Sequence, residues 1–79
     1  MIKSCKIFTT PTCVKCKGMK SYLEGIDIEK EVIDAVSPEG KEQATELGVT
    51  SVPTVFFFDE NGEQVGVAKD IDEVEDLLD

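Results

Sequence analysis

The sequence predicts an α/β domain whose elements follow one another in the order βαβαββα. Short stretches rich in Val, Ile and Phe have the features of strands, and three longer ones carry apolar residues at helical spacing. Gly25, Gly48 and the Asn61-Gly62 pair separate these stretches. A β-α-β start makes two strands parallel through a right-handed crossover, and a later hairpin adds antiparallel strands. We therefore expect a four-stranded mixed sheet flanked by three helices.

The length of 79 residues fits one domain that spans residues 1–79. A hydrophobic content of 41% suits a globular chain and is too high for a disordered one. No apolar run approaches the roughly 18 residues of a membrane span, and the first residues lack the apolar stretch of a signal peptide. We expect a cytoplasmic monomer that has no membrane partner.

Four stretches have the features of strands. Residues 2–9 alternate between two faces, and Cys5 is expected to be a small core residue rather than a third redox thiol. Residues 26–34 carry charges that suit the edge of a sheet. The apolar run at residues 55–58 predicts a central strand buried on both faces, in preference to an aromatic binding platform. Residues 63–67 return from a turn and complete a hairpin.

Three stretches have the features of helices. The first spans residues 13–24; Gly18 weakens it by about 1 kcal/mol relative to Ala, and close packing is the one reason that the sequence suggests for this glycine. The second follows a cap at Ser37, has Pro at its first position and ends at Leu47. The third begins at a capping box that starts with Asp70. We expect the second helix to lie mostly exposed because its apolar stripe is thin.

Cys13 and Cys16 lie three positions apart at the start of the first helix. Thiols at this spacing can meet and form one disulfide. The unpaired N–H groups and the dipole of the helix N-terminus stabilise an anion, and the thiolate is the nucleophile in disulfide exchange. Cys13 is expected to be the more exposed thiol and Cys16 to lie on the buried stripe. We therefore assign the attack to Cys13 and the resolving step to Cys16.

The net charge of −9 is unevenly distributed, because five of the eight lysines fall within residues 1–24, where Glu24 is the single acid. The acidic remainder argues against nucleic-acid binding. The sequence has no His, which excludes His-based general base catalysis and a His-ligated metal. Lys15, Lys17 and Lys20 surround the thiols. They are either a solvated helix face or charges that stabilise the thiolate and attract acidic partners, and Lys15 is the best candidate for the second role.

The order of elements and these residues resemble the thioredoxin-fold superfamily over nearly the whole chain. Within it the sequence is most similar to small glutaredoxins and to the glutaredoxin-like (NrdH-type) redoxins that serve ribonucleotide reductase. The likeness depends on Thr9-Thr10-Pro11-Thr12 before the Cys-x-x-Cys pair and on Ser51-Val52-Pro53, which resembles a Thr-Val-Pro segment whose proline is cis. The chain also starts directly at the strand that precedes the motif.

This resemblance implies a thioredoxin-like fold and a thiol–disulfide oxidoreductase that reduces protein disulfides in electron transport and cell redox homeostasis. It implies no bound cofactor besides the Cys13–Cys16 disulfide. The external reductant would be thioredoxin reductase with NADPH, or glutathione. A cis bond before Pro53 would turn the Val52 backbone toward the thiols. The implied substrate-binding residues are Thr12, Val14, Lys15, Val52 and Pro53.

The motif departs from both families. Cys-Val-Lys-Cys is neither the Cys-Pro-Tyr-Cys typical of glutaredoxins nor the Trp-Cys-Gly-Pro-Cys of thioredoxins, although its Val is like that of NrdH-type redoxins. Glutaredoxins that bind glutathione often have Lys where this chain has Thr10. Only Gly66 and Asp70 remain of their later Gly-Gly pair and Asp. These differences weaken the expectation that glutathione is the reductant.

Two other functions are compatible with the same cysteine pair. The first is a metal-binding or metal-delivery module. It is less favoured because structural zinc usually takes four Cys or His ligands, and Cys5 is a poor third ligand. Metal shared across a dimer would overcome this shortage. The second is a non-catalytic redox sensor, which would exchange slowly with generic disulfides.

Overall fold

The structure is a computed structural model that describes residues 2–78, so Met1 and Asp79, the two ends of the expected domain, lie outside the described residues. The elements follow the predicted order βαβαββα. They are β1 (Ile2–Thr9), α1 (Val14–Glu24), β2 (Glu29–Asp34), α2 (Pro38–Leu47), β3 (Thr54–Asp59), β4 (Gln64–Ala68) and α3 (Ile71–Leu78).

The four strands form one mixed sheet in the order β2-β1-β3-β4. β1 and β2 are parallel, whereas β1–β3 and β3–β4 are antiparallel. The charged β2 therefore lies at an edge, as predicted. The parallel register pairs Thr9 with Asp34, so the ends of β1 and β2 reach the same side of the molecule. α1 starts at Val14, five residues after the end of β1 at Thr9.

Both faces of the sheet are covered. One face packs against α1 and α3 through a core that includes Cys5, Ile7 and Phe57. The other packs against α2 and includes Phe8 and Phe56, whose rings meet edge to face with their centroids 5.7 Å apart. These residues show that β3 is buried on both faces, which confirms the prediction of a central strand.

The limits of three strands differ from the prediction. β3 runs over Thr54–Asp59 rather than residues 55–58, and β4 ends at Ala68 rather than at residue 67. β2 begins at Glu29 rather than at residue 26, because Lys30 Nζ donates to the carbonyls of Ile26 and Ile28, at 2.6 and 2.9 Å, and the chain bends there. β4 begins one residue later than predicted, because Glu63 still belongs to the turn. Its N–H donates to Asp59 Oδ1 and its carbonyl accepts the N–H of Asp59, each at 3.0 Å.

The helix caps were predicted correctly. Ser37 Oγ accepts the N–H of Gly40 at 3.0 Å, and Asp70 Oδ1 accepts the N–H of Glu73 at 2.8 Å. The reason suggested for Gly18 was wrong, since a Cβ built there meets nothing within 4 Å. Gly40 is the closely packed helical glycine, because a Cβ at that position would overlap the carbonyl of Asp34.

Candidate active site

The two cysteines lie at the junction between the end of β1 and the start of α1. The chain turns after Thr9, and the N–H of Cys13 donates to the carbonyl of Thr10 at 3.2 Å. Cys13 is the N-cap of α1, with an extended backbone (φ −81°, ψ 109°). Its Sγ accepts the N–H of Cys16 at 3.1 Å. The sulfur therefore occupies the position that a Ser or Asp oxygen usually takes at a helix start.

Cys13 and Cys16 are joined as a disulfide, with their Cα atoms 5.3 Å apart. Cys13 is half-buried, whereas only 2% of Cys16 is exposed. This confirms the predicted contrast in exposure. Cys13 is thus the more exposed of the two residues, while Cys16 lies on the buried stripe that also contains Met19 and Leu23.

A groove of about 230 Å³ opens beside the disulfide, on the side of β2. We call it the lysine groove, because Lys17 and Lys20 line it together with both cysteines. The strands contribute Val32 and Asp34 from β2, and the turn before α1 contributes the remaining wall. The full lining is Thr9, Thr10, Pro11, Cys13, Cys16, Lys17, Lys20, Val32 and Asp34.

A second groove, of about 430 Å³, lies between α1 and the start of α3. We call it the proline groove, because the buried Pro53 forms part of its wall. Its lining is Lys15, Gly18, Met19, Pro53, Lys69, Asp70, Ile71 and Asp72. The Val52–Pro53 peptide bond is cis, as the resemblance implied. Lys15 thus lies in a different groove from Lys17 and Lys20.

The other residues predicted to bind substrate lie around the cysteines and at the edge of a third depression. Thr12 is exposed, and Val14 exposes 83% of its surface. Val52 is half-buried and lines a depression of about 360 Å³ between α2 and the loop before β3, which it shares with Thr10 and Val36. The predicted residues therefore do not converge on one pocket.

Cys5 is a core residue, as predicted. Only 2% of its surface is exposed, and it packs in the cluster between the sheet and helices α1 and α3. Burial raises the pKa of its thiol above the ordinary value, and the nearby Lys30 ammonium opposes that shift. Both the burial and the direction of the shift disfavour a reactive thiolate at this position.

Among residues 2–78, no group of three or more His, Cys, Asp or Glu side chains is placed to hold a metal ion. Over the same range, no helix has the length and apolar character needed to cross a membrane.

A family model described as Glutaredoxin matches residues 5–63, the stretch that contains the Cys-x-x-Cys pair and the cis proline. This chain belongs to the glutaredoxin family. An uncharacterized protein of Treponema pallidum is 34% identical to it over 58 residues, which cover 72% of this chain and 75% of that protein. The SPbeta prophage-derived thioredoxin-like protein YosR of Bacillus subtilis is 34% identical over 55 residues, or 70% of this chain and 66% of YosR.

The fold of this glutaredoxin-family chain is also that of a thioredoxin. The crystal structure of oxidized thioredoxin O2 from Arabidopsis thaliana matches it with a TM-score of 0.76 and 22% identity, over 98% of this chain and 70% of that one. Family membership and the cysteine pair together identify the protein as a thiol–disulfide oxidoreductase.

Sequence reasoning singled out Lys15, whereas the structure places Lys17 and Lys20 in the groove with the thiols. Two signals could have indicated this. Positions four and seven after Cys13 share its helix face, whereas position two does not. The parallel pairing of β1 with β2 also brings the end of β2, at Asp34, beside Thr9.

Proposed function

We propose that this protein reduces protein disulfides, with Cys13 as the nucleophile and Cys16 as the resolving thiol. The observation that supports these roles is the hydrogen bond from the Cys16 N–H to Cys13 Sγ, at 3.1 Å. The same N–H would stabilise a thiolate on Cys13 in the reduced protein. Cys16 has no comparable access to solvent, because 2% of its surface is exposed.

The reaction has two exchange steps. Cys13 thiolate attacks one sulfur of the substrate disulfide, the substrate S–S bond breaks, and the released thiolate takes a proton from water. Cys16 then loses its proton and attacks Cys13 Sγ in the mixed disulfide, which frees the second substrate thiolate. Two electrons have passed to the substrate, and the protein is left with the Cys13–Cys16 disulfide that the structure contains.

The substrate would lie across the exposed surface around Cys13. We assign its binding to the residues that surround the thiols, and the resemblance to glutaredoxins supports a backbone contact at Val52. Lys15 and Pro53 line the proline groove and would contact the part of the substrate that enters it. The assigned residues are Thr12, Val14, Lys15, Val52 and Pro53.

A separate reductant must return the disulfide to the dithiol. We propose thioredoxin reductase with NADPH as this reductant, with glutathione as the alternative, and we place the reaction in the cytoplasm, a compartment that keeps such dithiols reduced. The resemblance to NrdH-type redoxins supports ribonucleotide reductase as an electron acceptor. Thr10 stands where glutathione-binding glutaredoxins often have Lys, and this difference favours the reductase over glutathione.

The test follows the oxidised protein in two coupled assays, one with thioredoxin reductase and NADPH, the other with glutathione, glutathione reductase and NADPH. The proposal expects faster NADPH consumption in the first assay when insulin is supplied as a protein disulfide. A matched reaction with Cys13→Ser measures the background. Turnover only with glutathione would contradict the assigned reductant, and no insulin reduction in either assay would contradict the proposed function.

A further inference from the structure

The lysine groove differs in charge from the rest of the molecule. Lys17 and Lys20 contribute two positive charges to its lining, against one carboxylate, Asp34. That carboxylate also accepts the N–H of Val36 through Oδ1 at 3.0 Å and keeps its charge, so the charged side chains of the lining sum to +1. The proline groove has no such excess, because its Lys15 and Lys69 are matched by Asp70 and Asp72. The lysine groove is therefore a locally positive site in a chain with a net charge of −9.

The geometry of α1 directs both lysines to the side of the disulfide. Lys17 and Lys20 follow Cys13 by four and seven positions, which places all three on one helix face. Lys20 is half-buried and Lys17 exposed. On the opposite wall, Val32 of the edge strand β2 leaves 53% of its surface exposed. The groove thus combines two ammonium groups, an apolar wall and the attacking sulfur within about 230 Å³.

We propose that the lysine groove receives an acidic side chain, Glu or Asp, that flanks the disulfide of the protein substrate. Lys17 and Lys20 pair with its carboxylate, and the aliphatic part of the side chain lies against Val32. This inference rests on the proposed function, since it names the class of disulfide that the Cys13–Cys16 pair reduces fastest. The volume of the groove suits a side chain rather than a folded element.

Docking of a carboxylate in the lysine groove and attraction by the electrostatic field of the whole protein predict different preferences for acidic substrates. The overall charge of the chain is negative, so its long-range field repels acidic partners, and attraction must come from the local lysines. A groove on one side of Cys13 also favours an acidic residue on only one side of the substrate cysteine. A diffuse field would favour both placements alike.

The experiment uses short peptides that contain one intramolecular disulfide. Glu is placed two positions before the first cysteine or two positions after the second, and each peptide has a matched Gln version. Second-order rate constants for reduction by the fully reduced protein are measured from acid-quenched samples by chromatography. Comparing the ratio of the Glu rate to the Gln rate between protein variants isolates the contribution of the lysines, because any change in the reactivity of Cys13 cancels in it.

We expect one Glu placement to give a ratio of about three to ten, as two partly exposed ion pairs would provide, and the other placement a ratio near one. Lys17→Gln with Lys20→Gln should bring the higher ratio close to one, and so should high salt. The matched control is Lys3→Gln with Lys41→Gln, which removes the same charge from two exposed positions. It should leave the ratio unchanged. Lys17→Gln alone, at an exposed position, should lower the ratio in part if the double variant does not fold.

Several results would overturn the inference. Equal ratios for both placements, or an equal loss in the control variant, would show that no docked carboxylate exists. A ratio that survives Lys17→Gln with Lys20→Gln would place the carboxylate elsewhere. If the protein reduces none of the peptides, the proposed function itself fails and this inference falls with it. Equal reduction of Glu and Gln peptides overturns this inference alone.

Discussion

The N–H of Cys16 donates a hydrogen bond to Sγ of Cys13 at 3.1 Å, so the two cysteines of the motif are linked by the backbone as well as by their sulfurs. The bond makes Cys13 the cap of its own helix. A negative charge on that sulfur would be stabilised by the hydrogen bond from this N–H and by the positive end of the helix dipole. Cys16, one turn further along, is the less accessible thiol, with 2% of its surface exposed.

The three thiols should therefore differ in reactivity when the protein is reduced. We expect a limiting amount of iodoacetamide at neutral pH to modify Cys13 first, because it is the capped and more exposed thiol, and to leave Cys16 and Cys5 largely unmodified. Peptide mapping by mass spectrometry measures the three sites. Modification of Cys16 before Cys13 would reverse the assigned roles.

Cys5→Ala should retain the rate of disulfide exchange and lower the free energy of unfolding by about 1 kcal/mol, because it removes a buried sulfur from the core. Insulin reduction and denaturant unfolding measure the two effects. A tenfold loss of rate in a variant that remains folded would show that Cys5 takes part in turnover.

The same thiol should make stability depend on pH. The pKa of Cys5 is raised above its ordinary value of 9.0 by burial, so the unfolded chain ionises this thiol at a lower pH than the folded chain does. Burial of the protonated thiol contributes its full share to the free energy of unfolding at pH values below 9.0. That contribution is lost as the pH rises from 9.0 toward the pKa of the thiol in the folded protein. The stability advantage of wild type over Cys5→Ala should therefore narrow from about pH 8 to about pH 10. A constant difference across this range would contradict the shift.

Gly18→Ala should stabilise the protein by about 1 kcal/mol. The position lies inside α1, and an added Cβ meets nothing within 4 Å, so the gain in helix propensity meets no steric cost. Chemical denaturation of the oxidised protein measures it. A loss of stability would mean that the surroundings of Gly18 are closer than the structure shows.

Gly40→Ala should have the opposite effect, although this glycine also lies in a helix. An added Cβ would overlap the carbonyl of Asp34 and come within 2.9 Å of Ser37 Oγ, the oxygen that caps α2. The backbone must shift, and we expect a loss of about 1–3 kcal/mol. Gly18→Ala is the matched control, since the chemical change is identical. Equal effects at the two sites would contradict the packing described for α2.

These two glycines show what the sequence predicts and what it does not. The limits of α2, the caps at Ser37 and Asp70 and the buried β3 are predicted because periodicity and cap residues act locally. The first helix was predicted one residue too long, since Cys13 is its N-cap. Whether a helical glycine is needed depends on what lies opposite it, which is a tertiary fact. The late start of β2 has a similar origin, since the Lys30 side chain donates to the carbonyls of Ile26 and Ile28 in the bent segment before the strand.

The features of the candidate site also fall into those that the sequence predicts and those that depend on the tertiary structure. The Cys-x-x-Cys pair, its place at a helix start and the difference in exposure between the thiols are apparent from the sequence. The separation of Lys15 from Lys17 and Lys20 into two grooves is not, because the walls of those grooves come from β2, Pro53 and the start of α3. Charge counting along the chain treats the three lysines as one cluster.

The order of attack is tested most directly by trapping the mixed disulfide in reduced Cys16→Ser, in the absence of glutathione, with Cys13→Ser as the matched variant. After exposure to an oxidised protein substrate, mass spectrometry should find Cys16→Ser covalently linked through Cys13, because the resolving thiol is missing, and Cys13→Ser without an adduct. An adduct on Cys16 in Cys13→Ser, or full turnover by Cys16→Ser, would contradict the assignment of Cys13 as nucleophile and Cys16 as resolving thiol.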